Sequence, residues 1–342
     1  MSKSQNKSEA VGVGVRMQLL QMNAGYLLSR ALYVAAELGI ADHLIDGSKS
    51  AAELARATDS NTDALYRLLR ALASNRIFAE DAQGRFALTP LANALRSDVA
   101  GSLRDAIRMV DDRWWNAYGQ LIYSVKTGLP AYEQVIGLGP FEYDKRHPDS
   151  NQRFARGMAS FSDRENLLIA AAYDFSPFKC VVDVGGGRGG FIAEVLKAYP
   201  TTRGILYDRP DVVDDPGYVI AAGVADRCQF IGGDFFSSVP AGCDAYVVKR
   251  VIPDWPDDRA EKILRNCRLT MAKEGRVLLV DAVILPGNAP YPSKVGDLWM
   301  MVVGGRERTE EEFRSLYDRA GLQLTRIIPT RTVLSIIEGA PK

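Results

Sequence analysis

Val181-Val182-Asp183-Val184-Gly185-Gly186-Gly187-Arg188-Gly189-Gly190-Phe191 is the stretch that decides how this chain folds. Its valines are residues of a buried strand, and the glycine cluster is a tight turn before helical spacing resumes. Strand, turn and helix start in that order mark a doubly wound sheet that receives a nucleotide-like ligand. Glycine suits such a turn because it reaches positive φ and lets a ligand approach the main chain. The turn alone does not say which ligand.

Towards the carboxyl end strands and helices alternate. Strands are expected at residues 181–184, 204–207, 228–231, 245–248, 277–280, 322–329 and 332–337. They make a mostly parallel seven-stranded sheet closed by an antiparallel hairpin. Towards the amino end the spacing is helical. Residues 18–38 end at Gly39, Ser50 and Glu53 fit a capping box, and Thr58-Asp59-Ser60 breaks a helix-turn-helix that continues over 63–74. Residues 77–80 and 85–88 then read as a β-hairpin, completing a winged-helix unit. The expected division is a disordered tail at 1–14, a winged-helix dimerisation domain at 15–100, a helical linker and substrate-pocket region at 101–173, and the sheet domain at 174–342.

Composition narrows the function. Lysine plus arginine number 42 and aspartate plus glutamate 42, so no net charge draws the chain to nucleic acid or a membrane surface. The winged helix offers Arg67 and Arg70, but Asp59, Asp63, Glu80 and Asp81 surround them, which argues against reading DNA. No apolar run reaches membrane-spanning length. Four scattered cysteines, Cys180, Cys228, Cys243 and Cys267, read as reduced thiols of a cytoplasmic protein, and they lack the spacing of metal ligands. No metal is expected. Only His43 and His147 could serve as histidine bases.

Successive strand ends carry matching features. The first has Asp183 with Gly185 and Gly187; the second has Asp208, placed to take ribose hydroxyls; the third has Asp234 and Phe235 for an adenine ring; the fourth has Lys249 and Arg250, then Asp254-Trp255. An acid beside the glycine turn repels a pyrophosphate but suits an ammonium group. S-adenosylmethionine (SAM) therefore fits better than a dinucleotide.

With VDVGGGRGGF, LYDRPDVV, GGDFF, KRVIPDW, GRVLLVDAVI and GGRERTEEEF in this order, the chain resembles the SAM-dependent O-methyltransferases that join a winged-helix dimerisation domain to a Rossmann-like domain. The resemblance covers residues 18–338. It implies cofactor contacts at Asp183, Gly185, Gly187, Asp208, Asp234, Phe235, Lys249 and Trp255. It also implies an intertwined homodimer, with apolar helical faces at Leu19, Leu20, Leu27, Leu28 and Leu32, and a small aromatic substrate between the domains. Candidate substrate contacts are Trp114, Phe154, Met158, Phe161, Trp299 and Met300.

One departure limits the resemblance. Many relatives place a histidine base directly before the Asp-Trp pair, and here that position is Pro253. Asp281 and Glu307 match the acids that support that histidine, and either can serve as the catalytic carboxylate. Three readings stay open: methylation by positioning alone, on oxygen or on a heteroaromatic nitrogen; a base supplied by a carboxylate or by His147; and a SAM-dependent reaction without methyl transfer, of hydroxylase, decarboxylase or pericyclase type.

Overall fold

The computed structural model describes the backbone of residues 3–342 and the side chains of residues 14–342. The chain divides into two compact units, with the boundary in sequence between Asp111 and Asp112.

The first unit begins with helix α1 (Lys3–Glu37). This helix spans most of the segment expected as a tail over 1–14, whose first two residues lie outside those described. Gly39, at φ 62°, ends the run, as left-handed glycines do. Strand β1 (Lys49–Ser50), helix α2 (Ala51–Ala57), helix α3 (Thr62–Ser74) and the hairpin of β2 (Phe78–Glu80) and β3 (Arg85–Leu88) follow. The strands pair in the order β1-β3-β2. Two residues are too few to show alternation, so β1 left no periodic signal.

Ser50 and Glu53 close the expected capping box. Helical spacing of Leu65, Leu69 and Leu72 turns one face of α3 onto Phe78, Phe86 and Leu54, the core of this unit. On α1 the expected apolar face divides. Leu28 and Leu32 pack on that core, whereas Leu19, Leu20 and Leu27 are exposed with Met22 and Tyr26.

The second unit holds helices α4 (Asp112–Gly119) and α5 (Pro148–Ala170), then strand β4 (Cys180–Val184), helix α6 (Gly190–Ala198), β5 (Arg203–Asp208), β6 (Cys228–Gly232) and β7 (Ala245–Lys249). Helix α7 (Asp257–Thr270), β8 (Arg276–Asp281), β9 (Val283–Ile284), helix α8 (Pro292–Val303), β10 (Arg308–Thr309), helix α9 (Glu310–Arg319), β11 (Leu322–Pro329) and β12 (Ser335–Pro341) complete it. The seven-stranded sheet runs β11-β12-β8-β7-β4-β5-β6, parallel except at β11 and β12. β9 and β10 make a separate parallel pair. One sheet face packs on α7 and α9 through Ile263, Leu264, Phe313 and Leu316, the other on α6 through Phe191, Ile192 and Val195. Residues buried on both faces explain why the strands read as unbroken apolar runs.

The last strand starts three residues later than expected (Ser335 rather than 332). The hydroxyl of Thr332 accepts from the Leu334 amide at 3.0 Å, and that of Thr330 donates to the Leu334 carbonyl at 2.6 Å. These local bonds hold the segment as a turn instead of a ladder.

The cysteine reading is corrected too. Cys228 and Cys267 are unbridged and buried, but Cys180 and Cys243 are joined by a disulfide. They stand 63 residues apart in sequence, yet β4 and β7 are neighbours and bring their Cα atoms to 4.8 Å. Among the described residues no helix is long and apolar enough to cross a membrane.

The capping box yields a local test. Ser50→Ala removes the side-chain acceptor for the Glu53 amide, and the expected loss of about 1 kcal/mol is read as a lower urea midpoint.

Candidate active site

Strands β4, β5 and β6 step outward in one direction, while β7 returns to the other side of β4. Sheets of this kind bind ligands at such a reversal, at the carboxyl ends of their strands. The turn after β4 is drawn tight. Gly185 sits at φ 72°, and a Cβ there would come within 2.6 Å of Val251 Cγ2, in the segment after β7. Glycine is required on both counts.

Asp208, at the end of β5, accepts from the Gly187 amide at 2.8 Å and from its neighbour Arg209 at 2.7 Å. Its lone pairs not used by these amides suit hydroxyl donors, and burial raises its pKa. Asp183 lies under the turn, 1% exposed; one oxygen accepts from the Ile192 amide at 3.3 Å and the other has no partner. Burial pushes it up to about 7. Lys249 ends β7, and its Nζ donates to Ser162 of α5 at 2.9 Å. Burial, then the charge of Arg250, lowers it to about 8.

Asp234 accepts from the Phe236 amide and from the Ser237 hydroxyl, both at 2.9 Å, so it also shapes its own turn. Phe235 and Phe236 stand edge-on to Trp255, with ring centroids 6.4 and 4.8 Å away, and Phe141 stacks on Trp255 at 5.4 Å. Phe235 lies 3.7 Å from the Cβ position of Gly185, so this aromatic wall adjoins the glycine turn.

A second aromatic group gathers around α4. Trp114 is 3% exposed; it stacks on Phe154 at 6.1 Å and meets Trp299 of α8 at 5.7 Å. Tyr118, one turn along α4, meets Trp299 at 5.2 Å. The Trp114 indole nitrogen and the Tyr118 hydroxyl are buried without partners. Of the expected substrate contacts, Trp114, Phe154 and Trp299 come together, Met158 and Met300 are half-buried, and Phe161 is exposed. Tyr118 was not among the expected contacts, although its step of four from Trp114 was there to read.

The expected acids meet at the end of β8. Asp281 is fully buried; one oxygen accepts from the Arg250 amide at 3.0 Å and the other has no partner. Glu307 is half-buried with a carboxyl oxygen likewise unpartnered, and its amide donates to Asp297 of α8 at 2.7 Å. Asp254 completes the group. Burial raises Asp254 and Asp281 to about 7 and Glu307 to about 8, and the neighbouring carboxylates push the same way.

Pro253 fills the position expected for a histidine, and its carbonyl accepts from the Arg306 amide at 2.8 Å. His147 is exposed, stacked on Tyr143 at 3.9 Å with Nδ1 2.7 Å from that residue's carbonyl oxygen. It takes no part in the carboxyl group at β8. Among the described residues no cluster of His, Cys, Asp or Glu could hold a metal ion.

Residues 118–323 match the O-methyltransferase domain and residues 20–98 the O-methyltransferase dimerisation domain. The chain belongs to the O-methyltransferase family. It is 41% identical over 325 residues to the phenazine O-methyltransferase PhzM of Lysobacter antibioticus, covering 94% of this chain and 95% of that one. It superposes on the crystal structure of LaPhzM with a TM-score of 0.92 at 41% identity, covering 96% and 99% of the two chains. It also superposes on NcsB1, an O-methyltransferase of neocarzinostatin biosynthesis solved with SAM and 2-hydroxy-5-methyl naphthoic acid, with a TM-score of 0.81 at 33% identity and coverage of 92% and 96%.

This protein is a SAM-dependent methyltransferase. Its residues suit the cofactor: Asp183 keeps an unpartnered carboxyl oxygen, Asp208 has lone pairs that its two amides leave unused, and a Cβ at Gly187 would meet nothing within 4 Å.

Asp208→Ala deletes a hydroxyl acceptor and the anchor of the Gly187 amide. S-adenosylhomocysteine affinity is expected to fall about 30-fold, roughly 2 kcal/mol, by titration calorimetry, with the circular dichroism spectrum unchanged.

Proposed function

We propose that this methyltransferase acts on a small flat aromatic of natural-product type and methylates a ring hydroxyl. Binding is by positioning between aromatic faces, and Glu307 is the group that receives the proton. The observation that carries this reading is the unpartnered carboxyl of Glu307, beside Asp281 and on a loop tied to α8 through Asp297. Two residues beyond Asp297, the same helix presents Trp299 to Trp114.

SAM supplies a methyl group on a positively charged sulfur, an electrophile that needs no metal. The aromatic faces hold the acceptor ring in place, which removes much of the orientational part of the barrier. As the oxygen–carbon bond forms and the carbon–sulfur bond breaks, the hydroxyl proton passes to Glu307. A carboxyl raised to about 8 is better matched to a phenol than an ordinary glutamate. Asp281, closed off from the surface, is a positioning residue that keeps the charge on Glu307 costly. The amino-terminal unit supports a homodimer, for it matches a dimerisation domain and leaves Leu19, Leu20, Met22, Tyr26 and Leu27 of α1 exposed.

Methyl-deuterated SAM and a panel of phenols and hydroxylated heteroaromatics test the reaction by mass spectrometry. A product carrying the labelled methyl, with S-adenosylhomocysteine formed in equal amount, is expected. Substrate consumed without label would replace methyl transfer by chemistry in which SAM is only retained. Glu307→Gln is expected to lower kcat about 100-fold with S-adenosylhomocysteine affinity unchanged; an unchanged kcat would leave positioning alone. Sedimentation is expected to show a dimer for the parent chain and a monomer for the double variant Leu20→Lys, Leu27→Lys.

A further inference from the structure

Arg250 directly follows β7 with φ at 55°, in the left-handed region where a glycine would sit without strain. An arginine there costs stability, and strain of this kind gathers at functional sites. The side chain is half-buried and paired. Its Nη2 donates to both carboxylate oxygens of Glu165 on α5, at 2.9 and 2.8 Å, and its Nε is buried without an acceptor. Its amide donates to Asp281 Oδ1 at 3.0 Å. One residue thus joins a carboxylate of α5 to the buried carboxyl of β8.

Helix α5 is built for this contact. Ser162, Glu165 and Asn166 are spaced three and four residues apart and lie along one helical face. Ser162 takes Lys249, Glu165 takes Arg250, and Asn166 Nδ2 lies 2.8 Å from where a Cβ on Gly190 would stand. The strand-end cations and the start of α6 are all met by this one face.

We propose that Arg250 and Glu165 are a positioning pair: Glu165 holds the guanidinium of the residue whose amide binds Asp281, and the pair sets the field in which Glu307 takes its proton. The charge of Arg250 lowers the pKa of Asp254, Asp281 and Glu307, against burial that raises it. The other charged groups are few. Lys249 and Asp183 stand at the strand ends, Asp297 faces Glu307 from α8, and Arg308 acts on Asp281 and Glu307 while bound to Asp257. Glu165 forms a salt bridge with Arg250, so removing its charge leaves more of the guanidinium's field for the three carboxyls.

The inference rests on Glu307 as proton acceptor, and the test separates the two. The rate–pH profile of kcat is measured on the full chain for the parent, Glu307→Gln, Arg250→Asn, Arg250→Lys and Glu165→Gln, with S-adenosylhomocysteine affinity as the check that each variant is folded. Asparagine tolerates the left-handed backbone, so Arg250→Asn removes charge without adding strain. Its rising, acid-side limb, set by ionisation of Glu307, is expected to move to higher pH by about one unit, the size of a nearby charge effect. Glu165→Gln is expected to move the limb to lower pH, and Arg250→Lys to leave it near the parent position. A limb that persists unchanged in Glu307→Gln overturns the proton-acceptor reading. A limb lost in Glu307→Gln, but unmoved or moved in one common direction by Arg250→Asn and Glu165→Gln, overturns the pairing alone.

Discussion

The close approach of the turn after β4 to the segment after β7 is the constraint on which the site depends. Val251 fills the space a side chain at residue 185 would need, so the glycine turn is held against that segment. That packing fixes the Gly187 amide against Asp208 and leaves Asp183 beneath the turn. It also forces the chain to turn sharply after Lys249, and the positive φ of Arg250 is the local cost. From there Asp281, directly across from Arg250 at the end of β8, becomes reachable by a backbone amide.

The same geometry gives the segment after β7 its shape with proline at residue 253. What holds residues 252–255 is their carbonyls. The Pro253 carbonyl takes the Arg306 amide, and the Arg308 guanidinium takes the carbonyls of Ile252 and Trp255 at 3.2 and 2.9 Å. Gly305 has no Cβ to push that proline carbonyl away. None of these bonds needs a side chain at residue 253 or its amide proton, so proline is accommodated there without disturbing the scaffold.

The sheet was legible because its strands are buried on both faces and end in glycine or acid, signals that survive in one dimension. Strand β1 was not, being two residues long, and the start of β12 was misplaced because threonine hydroxyls knit residues 330–334 into a turn. The acids at the strand ends were legible from their recurrence there. Arg250 was placed at a strand end, but its partner Glu165 was not legible, because it lies 85 residues earlier on another element. The disulfide was missed for a similar reason, since β4 and β7 become neighbours only through the crossover. Distances through space, rather than residue types, were what the sequence withheld.

The aromatic group around α4 has an optical consequence. Trp114 and Trp299, two of the chain's four tryptophans, face each other at 5.7 Å, with Tyr118 against Trp299 and Tyr132 against Trp114 at 5.0 Å. Indoles this close share excitation, and their emission depends on what lies between and beside them. A flat molecule entering among these rings would change the colour and yield of that emission. The protein therefore carries its own reporter of occupancy, and ligands can be ranked by intrinsic light emission without turnover or label.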